Sequence, residues 1–267
     1  MRRMRIGIMG AMPEETEEIQ HLLKGEIKTT RLGQREYHEG LLGGNEEWEG
    51  VVVFSRWGKV AAATTATTLI SQFGVDAILF AGVGGAVSPA LKIGDIVLAQ
   101  KLIHHDLDIS ALSGFDRFEI PGLGMKYIPV PASHEGLQNV VENFLKGENF
   151  QKKLQGILAE FGIWSPQVHT GVIASGDQFI ADARIIHQLT REIEGLLSID
   201  MESAAIGQVG FEHDIPVWVT RIISDLADHS APIDFYRFVT EVSRPIVAGL
   251  VETLLPVLAV EIAKQGK

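Results

Sequence analysis

Short, continuously apolar runs alternate along this chain with longer stretches whose apolar residues recur at helical spacing. Arg5-Ile6-Gly7-Ile8-Met9-Gly10 reads as a first buried strand, and Pro13 suits the opening turn of a helix after it. That helix takes its apolar face from Ile19, Leu22 and Leu23, which puts Glu15 inward and turns Glu14 and Glu17 away. Residues Thr29 to Ser55 read as antiparallel strands with turns at Gly33, Gly40, Gly43-Gly44 and Gly50. Val60 to Phe73 is an Ala- and Thr-rich helix stopped by Gly74, and Ala77 to Ala81 is a strand covered on both faces.

Gly82-Val83-Gly84-Gly85 then reads as a turn, or as backbone left bare for a ligand to approach. Ile93 to Leu98 and Leu102 to Ile109 are expected as two further strands. Ser113 to Pro131 is a long Gly- and Pro-containing loop, a lid or a contact surface. Residues 135–162 are helical with a break at Lys146-Gly147-Glu148. His169 to Asp177 forms a strand and turn before a helix starting near Ala181. Leu196 to Ile199 is a strand that passes into a helix at Ser203 to Ile206, and Val217 to Ile223 is a strand ending in Ser224-Asp225. Phe235 to Ala263 is mostly one helix, kinked at Pro256. Strands alternating with helices predict an α/β fold, a mixed central sheet covered on both faces.

Composition narrows the class. A chain of 267 residues suits one large domain over 1–267, able to bury roughly three quarters of its unfolded surface. It has no cysteine, which rules out disulfides, thiolate metal sites and thiol catalysis and fits a reducing, cytoplasmic setting. The formal net charge of −11 argues against nucleic-acid and anionic-membrane partners. The basic start, Met1 to Arg5, is too brief for a signal peptide. No stretch is expected to span a membrane, because Arg244, Glu252 and Pro256 interrupt the carboxyl-terminal apolar run.

The chemistry-bearing candidates are acids at strand ends. In open α/β sheets ligands bind beyond the carboxyl ends of strands, where Asp200-Met201-Glu202 and Ser224-Asp225 fall. A carboxylate there can accept two hydrogen bonds from neighbouring ribose hydroxyls. The plain alternatives are a dipole-pairing glutamate for Glu15 and Glu202 and a helix-capping aspartate for Asp225. His104, Asp106 and Asp108 would share one face of a strand, yet nothing with ligand spacing completes a metal site with them.

Gly10-Ala11-Met12-Pro13-Glu14-Glu15, Ser175-Gly176-Asp177-Gln178-Phe179-Ile180, Ile199-Asp200-Met201-Glu202 and Ile223-Ser224-Asp225-Leu226-Ala227-Asp228 occur in one order and spacing. As a set they resemble the 5′-methylthioadenosine/S-adenosylhomocysteine nucleosidases, from about Met4 to the last helix. The resemblance implies a single-domain, three-layer αβα fold of the nucleoside phosphorylase/hydrolase type, a homodimer, and a small nucleoside as substrate without a cofactor or metal. It implies that Asp225, oriented by Ser224, protonates the leaving adenine and that Glu15 deprotonates the attacking water. Two carboxyls with opposite protonation tasks suit such a cleavage. It further implies that Glu202 binds the ribose hydroxyls, Met201 packs on the sugar, Phe179 stacks near adenine and the Ile180 backbone reads its amino edge. Phe235 is the sugar-side phenylalanine, and Met12, Trp57, Val83, Gly84, Gly85 and Asp200 complete the substrate-binding set. Leu112 and Pro121 fall where a partner subunit closes the alkylthio pocket.

The chain departs from the family pattern at several points. Trp57 replaces a smaller apolar residue, Gly82-Val83-Gly84-Gly85 stands for Gly-Ser-Ala-Gly, Asp200 stands where Glu is frequent, and residues 135–165 are longer. A purine nucleoside phosphorylase of the same superfamily would need a phosphate clamp of Arg and hydroxyl donors. Here the first loop carries acids, which suits water. A non-catalytic adenosine binder would need Glu202 and Phe179 but not Glu15.

Overall fold

The computed structural model describes residues 3–43, 47–131, 134–226 and 235–265. Gly44, Ala227 and Asp228, which belong to motifs named above, lie outside them. The first strand β1 (Met4–Gly10) leads into α1 (Pro13–Gln20), then β2 (Leu23–Leu32), β3 (Arg35–Leu42) and β4 (Trp48–Phe54). Helix α2 (Lys59–Phe73) is closed by Gly74 at φ 59°, as its sequence requires. It is followed by β5 (Ala77–Ala86), β6 (Ile96–His104) and the two-residue β7 (Ile128–Pro129). Helices α3 (His134–Lys146) and α4 (Glu148–Glu160) break at Gly147 as expected. Next come β8 (Val168–Ser175), α5 (Ala183–Glu192), β9 (Leu196–Asp200), α6 (Ser203–Glu212) and β10 (Val217–Asp225). The chain ends in α7 (Phe235–Phe238), a π-helical turn (Val239–Ser243) and α8 (Arg244–Gln265).

The sheet is mixed, with order β2-β3-β4-β1-β5 on one side. Strand β5 also pairs with β10 and β9, β10 with β6, β6 with β8 and β8 with β9. Five strands therefore close into a ring, and the outer strands extend from β5 as a flap. Helices α1 and α3 pack on α8, whereas α2 packs on α6, so helices cover the sheet in two groups. Parallel pairing with helical cover buries both faces of a strand. Accordingly every residue of β10 is buried.

Several local expectations change. Helix α1 stops at Gln20, because His21 and Leu22 bond back to Glu18 and Ile19 and tighten its last turn. Leu23 therefore starts β2, six residues ahead of the expected β-structure, and pairs with Leu42. The glycine segment is strand, not turn: Gly82 to Gly85 run inside β5. Ile93-Gly94-Asp95 bends at Gly94 (φ 90°), so one strand, β6, replaces the expected two. It ends at His104, and Asp106 and Asp108 do not continue its face. The last helix leaves α geometry at the π turn, and Pro256 sits inside α8. Contrary to expectation, Phe235–Lys264 is long and apolar enough to cross a membrane by length and composition, but half of its apolar window is buried inside the fold.

Candidate active site

The carboxyl ends of β1, β5, β8, β9 and β10 open on a cavity of about 390 Å³. Its walls include Met12, Trp57, Val83, Gly84, Gly85, Phe179, Ile180, Asp200, Met201, Glu202, Ser224, Asp225 and Phe235, all named from the sequence. Ala11, Gln178, Ile199 and Tyr236 complete it. That volume suits a small organic ligand, and the walls are mostly apolar with a few polar groups converging on the space.

Neighbouring side chains in a regular strand point to opposite faces. Ser224 and Asp225 nevertheless both line the cavity, because the β10–β5 register slips between Ile223 and Asp225. Such a bulge re-aims side chains at a sheet end. Ser224 Oγ donates to Asp225 Oδ2 at 2.7 Å, which fixes one carboxylate oxygen and the plane of the group.

Glu202 stands at the N-cap of α6 but does not cap it with its side chain. Its Oε1 instead accepts the Gly58 N–H at 2.8 Å, next to Trp57 of the cavity wall. Burial, and then the charge of Asp200, push its carboxyl up to about 7, against the opposing pull of the Gly58 bond and Arg221.

Glu15 points inward, as its place on α1 requires, but it sits behind the cavity surface. It is fully buried. Its carboxyl lies one layer behind Met12 and Val83, whose backbones bond to it, because α1 turns it under the β1 exit. Oε2 accepts the Met12 N–H at 3.2 Å, and Oε1 accepts Ser243 Oγ–H at 3.2 Å. A Cβ on Gly82 would stand 2.9 Å from Oε2, so the bare glycine makes room for the carboxylate. Burial raises this carboxyl to about 7, although Arg221 and the hydrogen bonds oppose the rise.

Asp200 lines the cavity as expected. It stands at the cavity end of β9, and its carboxylate is bonded to the scaffold. Oδ1 accepts Ser175 Oγ–H at 2.5 Å and the N–H groups of Glu202 and Ser203 at 3.1 Å. Oδ2 accepts Arg221 Nε–H at 2.7 Å and the Ser203 hydroxyl. Burial raises this carboxyl, but Arg221 and the serine donors outweigh it and hold it below the ordinary value. Arg221, 1% exposed and stacked 3.8 Å over the Phe80 ring, is the residue the sequence reading missed. Read as one letter in an apolar strand, it carried no signal; its partner Asp200 was the clue.

Leu112 and Pro121 are exposed and line no part of the cavity in this chain. Glu14 does not turn fully outward either, since its Oε2 is buried. The histidine–aspartate run is dispersed: His104 bonds Gln208, Asp106 pairs with Lys59, and Asp108 with Ser110 and Arg117. Among the described residues that line the cavity there is no Lys or Arg.

The family model described as phosphorylase superfamily matches residues 5–256. A 5′-methylthioadenosine/S-adenosylhomocysteine nucleosidase of Geobacillus kaustophilus is 31% identical over 255 residues, 96% of this chain and 98% of that protein. The Helicobacter pylori nucleosidase of that name, solved in complex with a substituted pyrrolidin-3-ol, superposes with a TM-score of 0.79 at 30% identity, covering 96% of this chain and 99% of the other. A futalosine hydrolase from the same organism gives a TM-score of 0.78 at 30% identity, with 95% and 97% covered. The chain thus belongs to the phosphorylase superfamily and, within it, to the 5′-methylthioadenosine/S-adenosylhomocysteine nucleosidase family.

Proposed function

We propose that this protein hydrolyses the N-glycosidic bond of 5′-substituted adenosines, releasing adenine and the 5′-substituted ribose. The observation that carries the reading is the placement of Asp225 and Glu202 in one cavity, with Glu15 buried directly beneath its Met12–Val83 wall. Adenine lies against Phe179 with its amino edge toward the Ile180 backbone. Asp225, steadied by Ser224, delivers a proton to ring nitrogen N7, and the C1′–N9 electron pair leaves with the base. Glu202 accepts the ribose hydroxyls beside Met201 and Phe235. Water then adds to C1′ and gives its proton to Glu15, whose carboxyl near pH 7 is poised to take it. Met12 or Val83 has to give way slightly for that water to reach the carboxylate.

The lack of Lys and Arg among the described lining residues favours water over phosphate as the acceptor. The experiment is incubation with 5′-methylthioadenosine in phosphate-free buffer, with free adenine measured by chromatography. Adenine should appear without phosphate; a strict requirement for phosphate would reverse the assignment. A panel of other 5′-substituted adenosines ranks the substituents. A homodimer fits the same reading, since Leu112 is 61% exposed and Phe115 37% exposed on the loop after β6. Light scattering tests it, and Leu112→Glu should shift the mass toward the monomer.

A further inference from the structure

Glu202 is held by a backbone donor that lies on another element, and that donor has its own support. Gly58 is the N-cap of α2 and has no side chain to cap it, and the first turn of α2 carries no acid. Two carboxylates from elsewhere take over this duty. Glu202 Oε1 accepts Gly58 N–H at 2.8 Å, and Asp177 Oδ1 accepts Lys59 N–H at 2.7 Å. Asp177 follows β8 and immediately precedes Gln178, Phe179 and Ile180 of the cavity wall. It is anchored in turn, because its own N–H donates to Asp106 Oδ2 at 3.0 Å. Asp106 Oδ1 accepts Lys59 Nζ at 2.5 Å, which closes a knot of three side chains around the start of α2.

The backbone within this knot is specialised. Arg56 has φ 68° and Gly58 has φ 88°, so Trp57 and the Gly58 N–H are presented by a loop few sequences adopt without support. Arg56 is tied on its other side to the Gln34 carbonyl at 2.7 Å. A Cβ on Gly58 would stand 3.0 Å from Asp177 Oδ1, which shows how closely the acid sits against the loop. Helix N-termini leave N–H groups without intrahelical partners, and an outside carboxylate fixes their direction.

We propose that Asp177 is a positioning residue: through Lys59 N–H it holds the Gly58 N–H on Glu202 and so sets the carboxylate that receives the ribose. This rests on the function proposed above, and the knot itself touches no reacting atom. The effect should fall on the sugar side of the site, not on the base.

The test compares Asp177→Ala, which removes the acceptor, with Asp177→Asn, which keeps an oxygen there. Affinity is measured by calorimetry for adenine and for an uncleavable 5′-methylthio C-nucleoside, alongside KM and kcat for 5′-methylthioadenosine. Asp177→Ala should weaken the nucleoside and raise KM about tenfold, the order expected for one lost helix-cap bond, with kcat changed less. Adenine should weaken less than about threefold on the same scale, and Asp177→Asn should restore the nucleoside to near the parent value. Unchanged nucleoside affinity in Asp177→Ala, equal losses for adenine and nucleoside, or an Asn variant as weak as the Ala variant would each overturn the proposal. Lys59→Met, which only unties Asp106, is the second variant and should move KM in the same direction by less. Should the parent protein itself fail to cleave 5′-methylthioadenosine, the functional reading falls; a cleaving parent with unaffected variants refutes the positioning role alone.

Discussion

Ser243 Oγ–H donates to Glu15 Oε1 at 3.2 Å, joining residues 228 positions apart. Ser243 closes the π turn before α8, and such local departures from α geometry gather at functional sites. The bond opposes the rise that burial imposes on the Glu15 carboxyl, since a donor favours the charged form. Ser243→Ala should therefore push that carboxyl further above about 7. The acid limb of the kcat profile should move to higher pH, so that activity drops several-fold near pH 6 and recovers by pH 9. A pH–rate profile from adenine release checks this, and an unmoved acid limb would separate Ser243 from the base.

Glu15→Gln should abolish turnover yet stabilise the fold in neutral solution. The carboxyl is raised from 4.5 to about 7, so the folded protein retains a proton that the unfolded chain releases. Stability is then lost as pH rises from about 4.5 to about 7 and is level above. The displacement is equivalent to at most about 3 kcal/mol, which the neutral amide does not have to meet. Urea melts of both proteins should differ most at pH 8 and converge below about pH 4.5. A variant less stable than the parent at pH 8 would show that the lost carboxylate bonds outweigh the desolvation.

The acids at the strand ends were legible because their chemistry is local: an acid after an apolar run marks the rim of an α/β sheet. Asp225 and Glu202 reach the cavity for that reason, whereas Phe179 and Ile180, which also line it, were expected only from the family resemblance. What the chain did not disclose depends on distant partners. Closure of β5, β10, β6, β8 and β9 into a ring rests on pairings between strands far apart in sequence. The turn reading of Gly82 to Gly85 failed because the reason for glycine is not a bend. Gly84 leaves space for Ser198 Oγ, 2.8 Å from where its Cβ would be, as Gly82 does for Glu15. The ion pair that holds the Asp200 carboxylate was not legible, because its partner Arg221 belongs to another strand.

The Arg221–Asp200 pair, 1% and 3% exposed at its side chains, should behave as a buried ion pair. Its net worth is small, but removing one partner strands the other charge. Arg221→Met should cost about 3–5 kcal/mol in urea unfolding. Pairing it with Asp200→Asn should recover part of that loss, because the orphaned carboxylate is gone. Additive losses in the double variant would indicate that Asp200 is held by its serine and backbone donors alone.

Gly82→Ala tests whether room at one backbone atom controls the chemistry. The added methyl would lie 2.9 Å from Glu15 Oε2 and 3.3 Å from Oε1, too close for either oxygen to stay. The carboxyl must rotate away from Met12 N–H and Ser243 Oγ–H, which hold it now. Its strand neighbours still pair, so the fold should survive with a melting point lowered by about 2–4 °C for each kcal/mol of strain. Turnover should fall by about a hundredfold, as befits a displaced base. Gly136→Ala, on α3 with nothing within 4 Å of the new methyl, is the control and should leave turnover alone while raising the melting point slightly, since alanine is the better helix former. Parent-like kcat in Gly82→Ala, with its melting point shifted, would mean that the carboxylate tolerates displacement and that Glu15 is not the group receiving the water proton.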